Sequence, residues 1–383
     1  MRQIVLPATL GSCALGTGVA PLWAAQWTIT PTYSSSVDYD SNRRLLTRGS
    51  ASEAGVLTVD MRFDRALENF DFSLEPRYAF RRYSDSSLGN GDDRSIYGAI
   101  NWNGEKSTLN VTASYWDQST LATEVLETGI VTGDTHRRLA QAAATWNWNQ
   151  TERRTLVAQL SDMDVSYYGQ SAALLPGYRY PSGSLGERFA FSERGSFTLS
   201  AYGSVLQSDT RGNSSHTEGL EGEVIYTFSE LTNLDASVGE SSRNLAGTSS
   251  YGTDASVSLN HTMLLGRASL VYTRSLVPYG FGFLVERQQF TAGVTRSLTE
   301  TMSSTLSIMR IQNNETAVLL RVDRRSYDSL SCSLNWRPTP TWSVGGEIDA
   351  LRTQLPDIAG EPVKGWRSSI TITWTPLPWS RSR

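Results

Sequence analysis

A two-residue alternation of apolar and polar side chains recurs from residue 27 almost to the C-terminus and constrains the fold more than any other feature. In the segment 57–64 the apolar residues Leu57, Val59, Met61 and Phe63 alternate with Thr58, Asp60, Arg62 and Asp64. Successive side chains of a β-strand point to opposite faces, so this segment predicts a strand with one apolar and one charged face. A soluble sandwich shows the same alternation, so other features must decide which face meets lipid.

The first 25 residues are typical of a secretory signal peptide. A short start carrying Arg2 is followed by an apolar, small-residue stretch that ends at Ala24 and Ala25. We therefore divide the chain into a signal peptide, residues 1–24, and a single domain, residues 25–383, with cleavage after Ala25 as the alternative. The apolar residues that follow Cys13 disfavour a lipoprotein signal.

Composition excludes several other classes of protein. No later segment reaches the roughly 18 apolar residues of a membrane helix, which argues against an inner-membrane protein but not against a barrel. Cys332 is the one cysteine after the predicted signal peptide, so the mature chain forms no internal disulfide. The formal net charge of −4 creates no strong overall field.

The connectors between the predicted strands come in two alternating kinds. Tight ones such as 104–107 and 338–340 alternate with long polar ones such as 119–136 and 313–326. Short periplasmic turns and long external loops are typical of outer-membrane barrels. The sequence therefore predicts an all-β fold, a transmembrane antiparallel up-and-down β-barrel of about 18 strands (16–18), with strict alternation of connectors.

Two predicted strands fit the alternation poorly. In the seventh, 156–167, Asp162 and Asp164 share the parity of Leu160, and a β-bulge is the simplest explanation. The eighth, around 187–192, is short.

Aromatic residues beside the tight turns predict a girdle at the inner membrane boundary, since Trp and Tyr favour that interface. Its members are Trp102, Trp146, Trp148, Phe228, Trp336, Trp342 and Trp374. Tyr33, Tyr83 and Tyr272 are expected near the opposite rim. The segment 370–374 resembles the last strand that outer-membrane assembly machinery recognises, with Trp374 or Trp379 as its terminal aromatic.

The polar face of the strands predicts the lining of an aqueous lumen, which an 18-stranded barrel is wide enough to hold. The candidates are Asp60, Arg62, Asp64, Glu75, Arg77, Arg81, Glu221, Glu223, Arg287, Glu347 and Asp349. Charges of both signs either bind hydroxyl-rich or zwitterionic solutes or lock one another as ion pairs. The long loop 169–186, aromatic and stiffened by two prolines, is the candidate gate, with Pro176, Tyr178, Arg179 and Tyr180 as its gating residues.

Catalytic and metal-binding motifs are missing from the sequence. There is no HExxH, no paired CxxC and no Walker A motif, so we expect no enzyme, no cofactor and no metal site. The two segments that could carry a rim-borne catalytic constellation are 134–136, with His136, and 214–216, with His216. His261 lies near a turn on an apolar face, which indicates an interfacial position.

The N-terminal segment Trp27-Thr28-Ile29-Thr30-Pro31-Thr32-Tyr33, followed by Val37-Asp38-Tyr39-Asp40-Ser41-Asn42, resembles a known family. The resemblance is to outer-membrane β-barrel proteins associated with exopolysaccharide and exosortase (PEP-CTERM) systems. It implies a non-enzymatic channel or accessory component for exopolysaccharide export, and it supplies no catalytic residues. The alternatives are a general or solute-selective uptake porin, an outer-membrane enzyme and a structural barrel.

These interpretations place the protein in the outer membrane of a Gram-negative bacterium. The expected partners are outer-membrane lipids and lipopolysaccharide, the outer-membrane assembly machinery, periplasmic polysaccharide export proteins and a polysaccharide chain, and no nucleic acid.

Overall fold

The computed structural model describes residues 26–382 apart from 47, 86, 87, 89, 90, 125–134, 170, 171, 210–213, 246, 247, 315–325 and 355–361. The predicted signal peptide, residues 1–24, lies outside the described residues, and so does Asp134. Among the residues that are described, no helix is long and apolar enough to cross a membrane.

Within the described residues, one antiparallel sheet of 20 strands forms the wall of the molecule, and a short 3-10 helix (Ala172–Leu174) lies between its seventh and eighth strands. The first ten strands are β1 (Gln26–Asp40), β2 (Ser52–Leu67), β3 (Phe70–Tyr83), β4 (Gly91–Asn103), β5 (Ser107–Ser119), β6 (Thr135–Asn149), β7 (Arg154–Gly169), β8 (Tyr178–Arg179), β9 (Ser182–Ser192) and β10 (Gly195–Ser208). A four-residue helix, α1 (Thr120–Thr123), follows β5.

The other ten strands continue the same up-and-down order. They are β11 (Ser214–Ser229), β12 (Thr232–Leu245), β13 (Thr248–Met263), β14 (Gly266–Tyr279), β15 (Phe283–Ser297), β16 (Met302–Asn314), β17 (Ser326–Thr339), β18 (Trp342–Gln354), β19 (Val363–Trp374) and β20 (Trp379–Ser382).

Each full-length strand position around the barrel wall is called a stave here. Two pairs of short strands each occupy one stave. β8 and β9 pair with β7 in the same register on both sides of Pro181. β19 and β20 both pair with β1, with a shift of one residue between them. The 20 strands therefore make 18 staves, and the pairing of β1 with β19 closes the barrel. The predicted fold class is confirmed.

Three details of the predicted strands are wrong. β6 and β7 pair without any register shift, so the predicted β-bulge near Asp162 and Asp164 is not formed. Both carboxylates face outward, and Asp162 accepts hydrogen bonds from Arg179 at 2.6 Å. The short eighth strand instead begins at Ser182. The strict alternation of connectors fails at the end where the longer connectors lie, because only two residues separate β12 from β13 and three separate β14 from β15.

The outer surface of the barrel is apolar around its middle. Leu160, Leu220, Ile348 and Ile370 are each at least 60% exposed, as lipid-facing side chains are in the absence of lipid. The alternate residues of the same strands face inward and are polar.

The seven predicted girdle aromatics are exposed on this outer surface beside the tight turns. The ring centroids of Trp342 and Trp374 lie 6.1 Å apart, and Tyr33 stacks on Trp374 at 5.4 Å. Tyr33 therefore belongs to the tight-turn half of the barrel, and its predicted place at the opposite rim is wrong. The last stave continues past Trp374, so Trp379, which pairs with Ile29, also lies on it.

An ion pair on the luminal side connects the three strands next to the seam, β17, β18 and β19. Arg367 on β19 donates to Asp349 on β18 at 2.6 Å, and Ser331 on β17 donates to the same carboxylate. The Asp349 side chain is 3% exposed and that of Arg367 is 48% exposed. One carboxylate thus joins three neighbouring staves.

Replacing Asp349 with Ala is expected to lower the free energy of unfolding by about 2 to 3 kcal/mol. Loss of a buried partner is costly, and the partial exposure of Arg367 reduces that cost below the value for a fully buried pair. The midpoint of urea unfolding, followed by the mobility of the unboiled protein on gels, measures the change. Glu187→Ala is the matched control, because its 3.8 Å contact with Arg154 is exposed on both sides. Equal midpoints for the two variants would contradict the prediction.

Candidate pore lining and constriction

The register of the strands places every predicted lumen candidate on the inward face, opposite the exposed apolar side chains. On β2 and β3 most of these charges neutralise one another. Arg62 lies 2.9 Å from Asp64, and Arg77 lies 3.5 Å from Asp60. The sequence left open whether these charges bind solutes or form ion pairs with one another, and on this wall they form ion pairs. The contribution of these residues to selectivity stays a prediction.

The opposite wall is less balanced. Glu221, Glu223 and Asp235 face the lumen from β11 and β12. The cation nearest to them among the contacts of the described residues is Arg188 on β9, which lies 3.8 Å from Glu223. Glu221 accepts a hydrogen bond from the Ser237 hydroxyl at 3.3 Å. This part of the lumen therefore carries an excess of negative charge.

The hairpin of β14 and β15, centred on residues 280–282, leaves the wall and turns into the barrel. β13 and β14 stop pairing at Ala255 and Arg274, although both strands continue beyond that point. Past the break, Leu276 and Leu284 pack against the inward-facing Val165 and Leu206 on β7 and β10. The infolded hairpin, residues 275–285, thus occupies the lumen on the side of the longer connectors.

A cluster of charges holds the base of the infolded hairpin. The buried Arg243 of β12 contacts Asp254 at 2.9 Å and Glu286 at 3.7 Å. Arg274 contacts the same Glu286 at 3.1 Å. Tyr202 on β10 donates to Asp254 at 2.6 Å. The contact of Arg243 with Glu286 connects the hairpin base to β12, which is not its sheet neighbour, and the other contacts hold Arg243 and Glu286 in place.

The tip of the infolded hairpin meets the segment predicted as the gate. Gly282 has φ of 75°, and a side chain there would overlap Ser208 and crowd Pro176. Tyr178 is 4% exposed in the apolar cluster with Leu206 and Leu284. Pro176 and Tyr178 therefore form part of the docking surface for the hairpin.

The remaining gate candidates lie in the wall. Arg179 faces outward and pairs with Asp162, and the Tyr180 hydroxyl donates to Ser204 at 3.0 Å. The expected loop 169–186 is shorter than predicted because Tyr178 onward is strand. The hairpin of β14 and β15, which the sequence did not indicate, enters the lumen against this segment, and a gating role for residues 176–180 stays a prediction.

A polar cavity of about 430 Å³ lies beside the base of the infolded hairpin. Its lining combines apolar residues with hydroxyl groups, carboxylates and one guanidinium group that can bind a hydrophilic solute. The polar residues include Tyr180, Ser182, Ser184, Arg188, Thr198, Ser200, Tyr202, Ser204, Thr217, Glu221, Glu223 and Asp254. A hydrated solute that enters this cavity meets hydrogen-bonding groups from β9, β10, β11 and β13.

The histidines that could have carried catalysis lie apart from one another. His136 contacts Asp117 at 3.3 Å and stacks on Tyr168, whereas His216 contacts Glu218 at 3.5 Å on another part of the barrel. His261 accepts or donates one hydrogen bond with Thr232 near a tight turn. No cluster of three metal-ligating side chains occurs among the described residues.

Comparison with known proteins identifies the fold. No protein-family model and no curated protein matches the chain. The crystal structure of Pseudomonas aeruginosa OccK2 (OpdF) is similar to it, with a TM-score of 0.51 and 9% identity over 92% of this chain and 98% of that chain. P. aeruginosa OccK5 (OpdH) gives a TM-score of 0.50 and 8% identity over 92% and 98% of the two chains.

The outer membrane protein opdK from P. aeruginosa gives a TM-score of 0.47 and 10% identity over 92% and 99% of the two chains. At identities this low, the likeness to OccK2 and OccK5 establishes the barrel fold alone. None of these names mentions a polysaccharide or an exosortase.

Proposed function

We propose that the protein is a non-enzymatic outer-membrane channel for small hydrophilic solutes, a solute-selective uptake porin. The observation that carries this proposal is an 18-stave barrel with a polar lumen, narrowed by an infolded hairpin beside a hydroxyl-lined cavity. The barrel fold that it shares with OccK2 and OccK5 supports the same conclusion.

The mechanism is passive diffusion. A solute that leaves bulk water must keep its hydrogen bonds, and the hydroxyl and carboxylate groups of the cavity replace those it loses. The infolded hairpin limits the size of the solute, and the unbalanced acids on β11 and β12 favour neutral and cationic solutes over anions. Both features act on the same narrow part of the lumen.

The export of exopolysaccharide has less support. The residues that carried the resemblance have structural roles in closing the barrel: Trp27 and Tyr33 face outward, and Asp40 and Asn42 order the first connector. The infolded hairpin also occupies space that a hydrated polymer would need. These positions explain the N-terminal motif without a polysaccharide partner.

Reconstitution of the purified protein in planar bilayers is expected to give discrete conductance steps. Proteoliposomes that contain it should swell in small sugars and amino acids, with rates that fall as solute size increases, because the hairpin limits access. Heat-unfolded protein is the control for detergent leakage. A barrel without steady conductance would contradict the channel, and loss of surface polysaccharide in a deletion strain with normal solute uptake would favour export.

A further inference from the structure

Three cationic side chains lie in one row on the outer surface of the barrel. Arg310 pairs in register with Asp328, Asp328 with Arg352, and Arg352 with Lys364, so the four stand side by side on β16 to β19. Asp328 lies 3.8 Å from Arg310. With three bases and one acid, the row carries a net positive charge.

An apolar groove of about 650 Å³ lies directly beneath this row. The next outward-facing row consists of Ile308, Leu330, Ala350 and Trp366. Ala350 is much smaller than its neighbours Leu330 and Trp366, so the surface dips at its position. The groove therefore has an apolar floor and a cationic upper edge.

The height of the row on the barrel matches the edge of the membrane. Arg310 lies eight positions along β16 from Met302, which pairs with the girdle residue Trp336. At about 3.3 Å per residue and a tilt of about 40°, this separation is roughly 20 Å along the barrel axis. Since the apolar band of such barrels is about 25 Å tall, the backbone of the row lies roughly 5 Å inside its edge on the side of the longer connectors. Long arginine and lysine side chains extend over that distance and place their charges at the headgroup level.

We infer that this groove binds a phosphorylated glycolipid of the outer leaflet, of the lipid A type. Guanidinium and ammonium groups bind phosphate through charge-assisted hydrogen bonds. The row spans three strand spacings, about 14 Å. That width suits two separated phosphates better than the single phosphate of a glycerophospholipid. One acyl chain then lies along Ile308 and Leu330 over Ala350.

Some other outward surfaces of the barrel carry acids. Glu218 on β11 and Glu240 on β12 face outward, and so do Asp162 and Asp164 on β7. Carboxylates there repel phosphates. Arg94 and Arg138 also face outward, on β4 and β6, with Asp117 in register between them and 3.6 Å from Arg138. The β16–β19 row has three bases to one acid and an apolar groove beneath it, so it suits a phosphorylated lipid better. The inference rests on the outer-membrane location proposed above and does not depend on conductance.

Binding of bisphosphorylated hexa-acyl lipid A to the refolded full chain in detergent tests the site. The triple variant Arg310→Ser, Arg352→Ser and Lys364→Ser should bind it roughly 100-fold more weakly, because each cation near a lipid surface contributes to binding. Ala350→Phe fills the dip without changing any charge and should weaken binding several-fold. Phosphatidylglycerol is the comparison lipid and should bind more weakly than lipid A.

The matched control removes three cations from the tight turns at the other rim: Lys106→Ser, Arg153→Ser and Arg194→Ser. This control should bind lipid A like the unmodified protein. Unchanged affinity in the row variant or in Ala350→Phe, or equal binding of phosphatidylglycerol, would overturn the proposal. Lipid A binding by a barrel that lacks conductance would leave this site intact and overturn only the channel.

Discussion

Replacing residues 277–285 with an Asn-Gly turn is expected to raise the single-channel conductance roughly threefold or more, because an 18-stranded barrel without an internal element holds an open aqueous channel. Register pairs Leu276 with Glu286, so a two-residue turn reconnects the strands at that point. The contacts of Arg243, Arg274 and Glu286 at the hairpin base are kept. Conductance in planar bilayers and swelling rates for larger sugars measure the change.

A point substitution tests whether displacing the hairpin tip, without shortening the hairpin, also changes the conductance. Gly282→Val places a branched side chain at a positive φ and against Ser208, so it should displace the tip and raise conductance by a smaller factor. Gly346→Val is the matched control, since nothing lies within 4 Å of the added group. Unaltered conductance in the shortened protein would show that the hairpin does not limit flow.

Reversing two luminal charges, Glu221→Lys and Glu223→Lys, is expected to shift the ratio of cation to anion permeability about tenfold towards anions. Charges that line a cleft concentrate ions of opposite sign, and tenfold is the lower end of that effect. These two acids and Asp235 face the lumen on this wall, and the cation nearest to them is Arg188, 3.8 Å from Glu223. The reversal potential in a salt gradient gives the ratio directly.

Glu218→Lys is the control for this experiment. Glu218 lies on the same strand, β11, but its side chain faces outward and is 70% exposed. This substitution makes half the charge change of the double variant, and it should leave the reversal potential close to that of the unmodified protein. If both substitutions shift it equally, surface potential rather than the lumen lining determines selectivity.

The barrel could be predicted from the sequence because its determinants are local. Alternation within a single strand distinguishes Leu57 from Thr58, and tight connectors identify one rim. The ion pair of Asp162 with Arg179 could not be predicted from one strand, because its partners are 17 positions apart in the sequence and lie on neighbouring strands. This pairing neutralises a carboxylate that faces outward. The sequence of one strand does not show this partner, and so a β-bulge is the simplest explanation that it suggests for the position of Asp162.

The constriction could not be predicted for a related reason. Leu276 and Leu284 have the parity and chemistry of lipid-facing residues, and their strands continue the alternation of the wall. What turns them inward is contact with Val165, Leu206 and Arg243, which lie on distant strands. The prolines and aromatics of 174–181 indicated a special segment but not its role as the surface on which another element docks.

The seam between β1 and the last stave has a consequence for how the barrel assembles. All other neighbouring staves are consecutive in the sequence. At the seam, however, Gln26 pairs with Ser382, which is 356 positions away. If the strands pair in sequence order, β1 and β19 are the last two edges without a partner. Exposed strand edges can pair with other chains. Until that last ladder forms, the nearly complete barrel is an open, twisted sheet that needs shielding from its own copies.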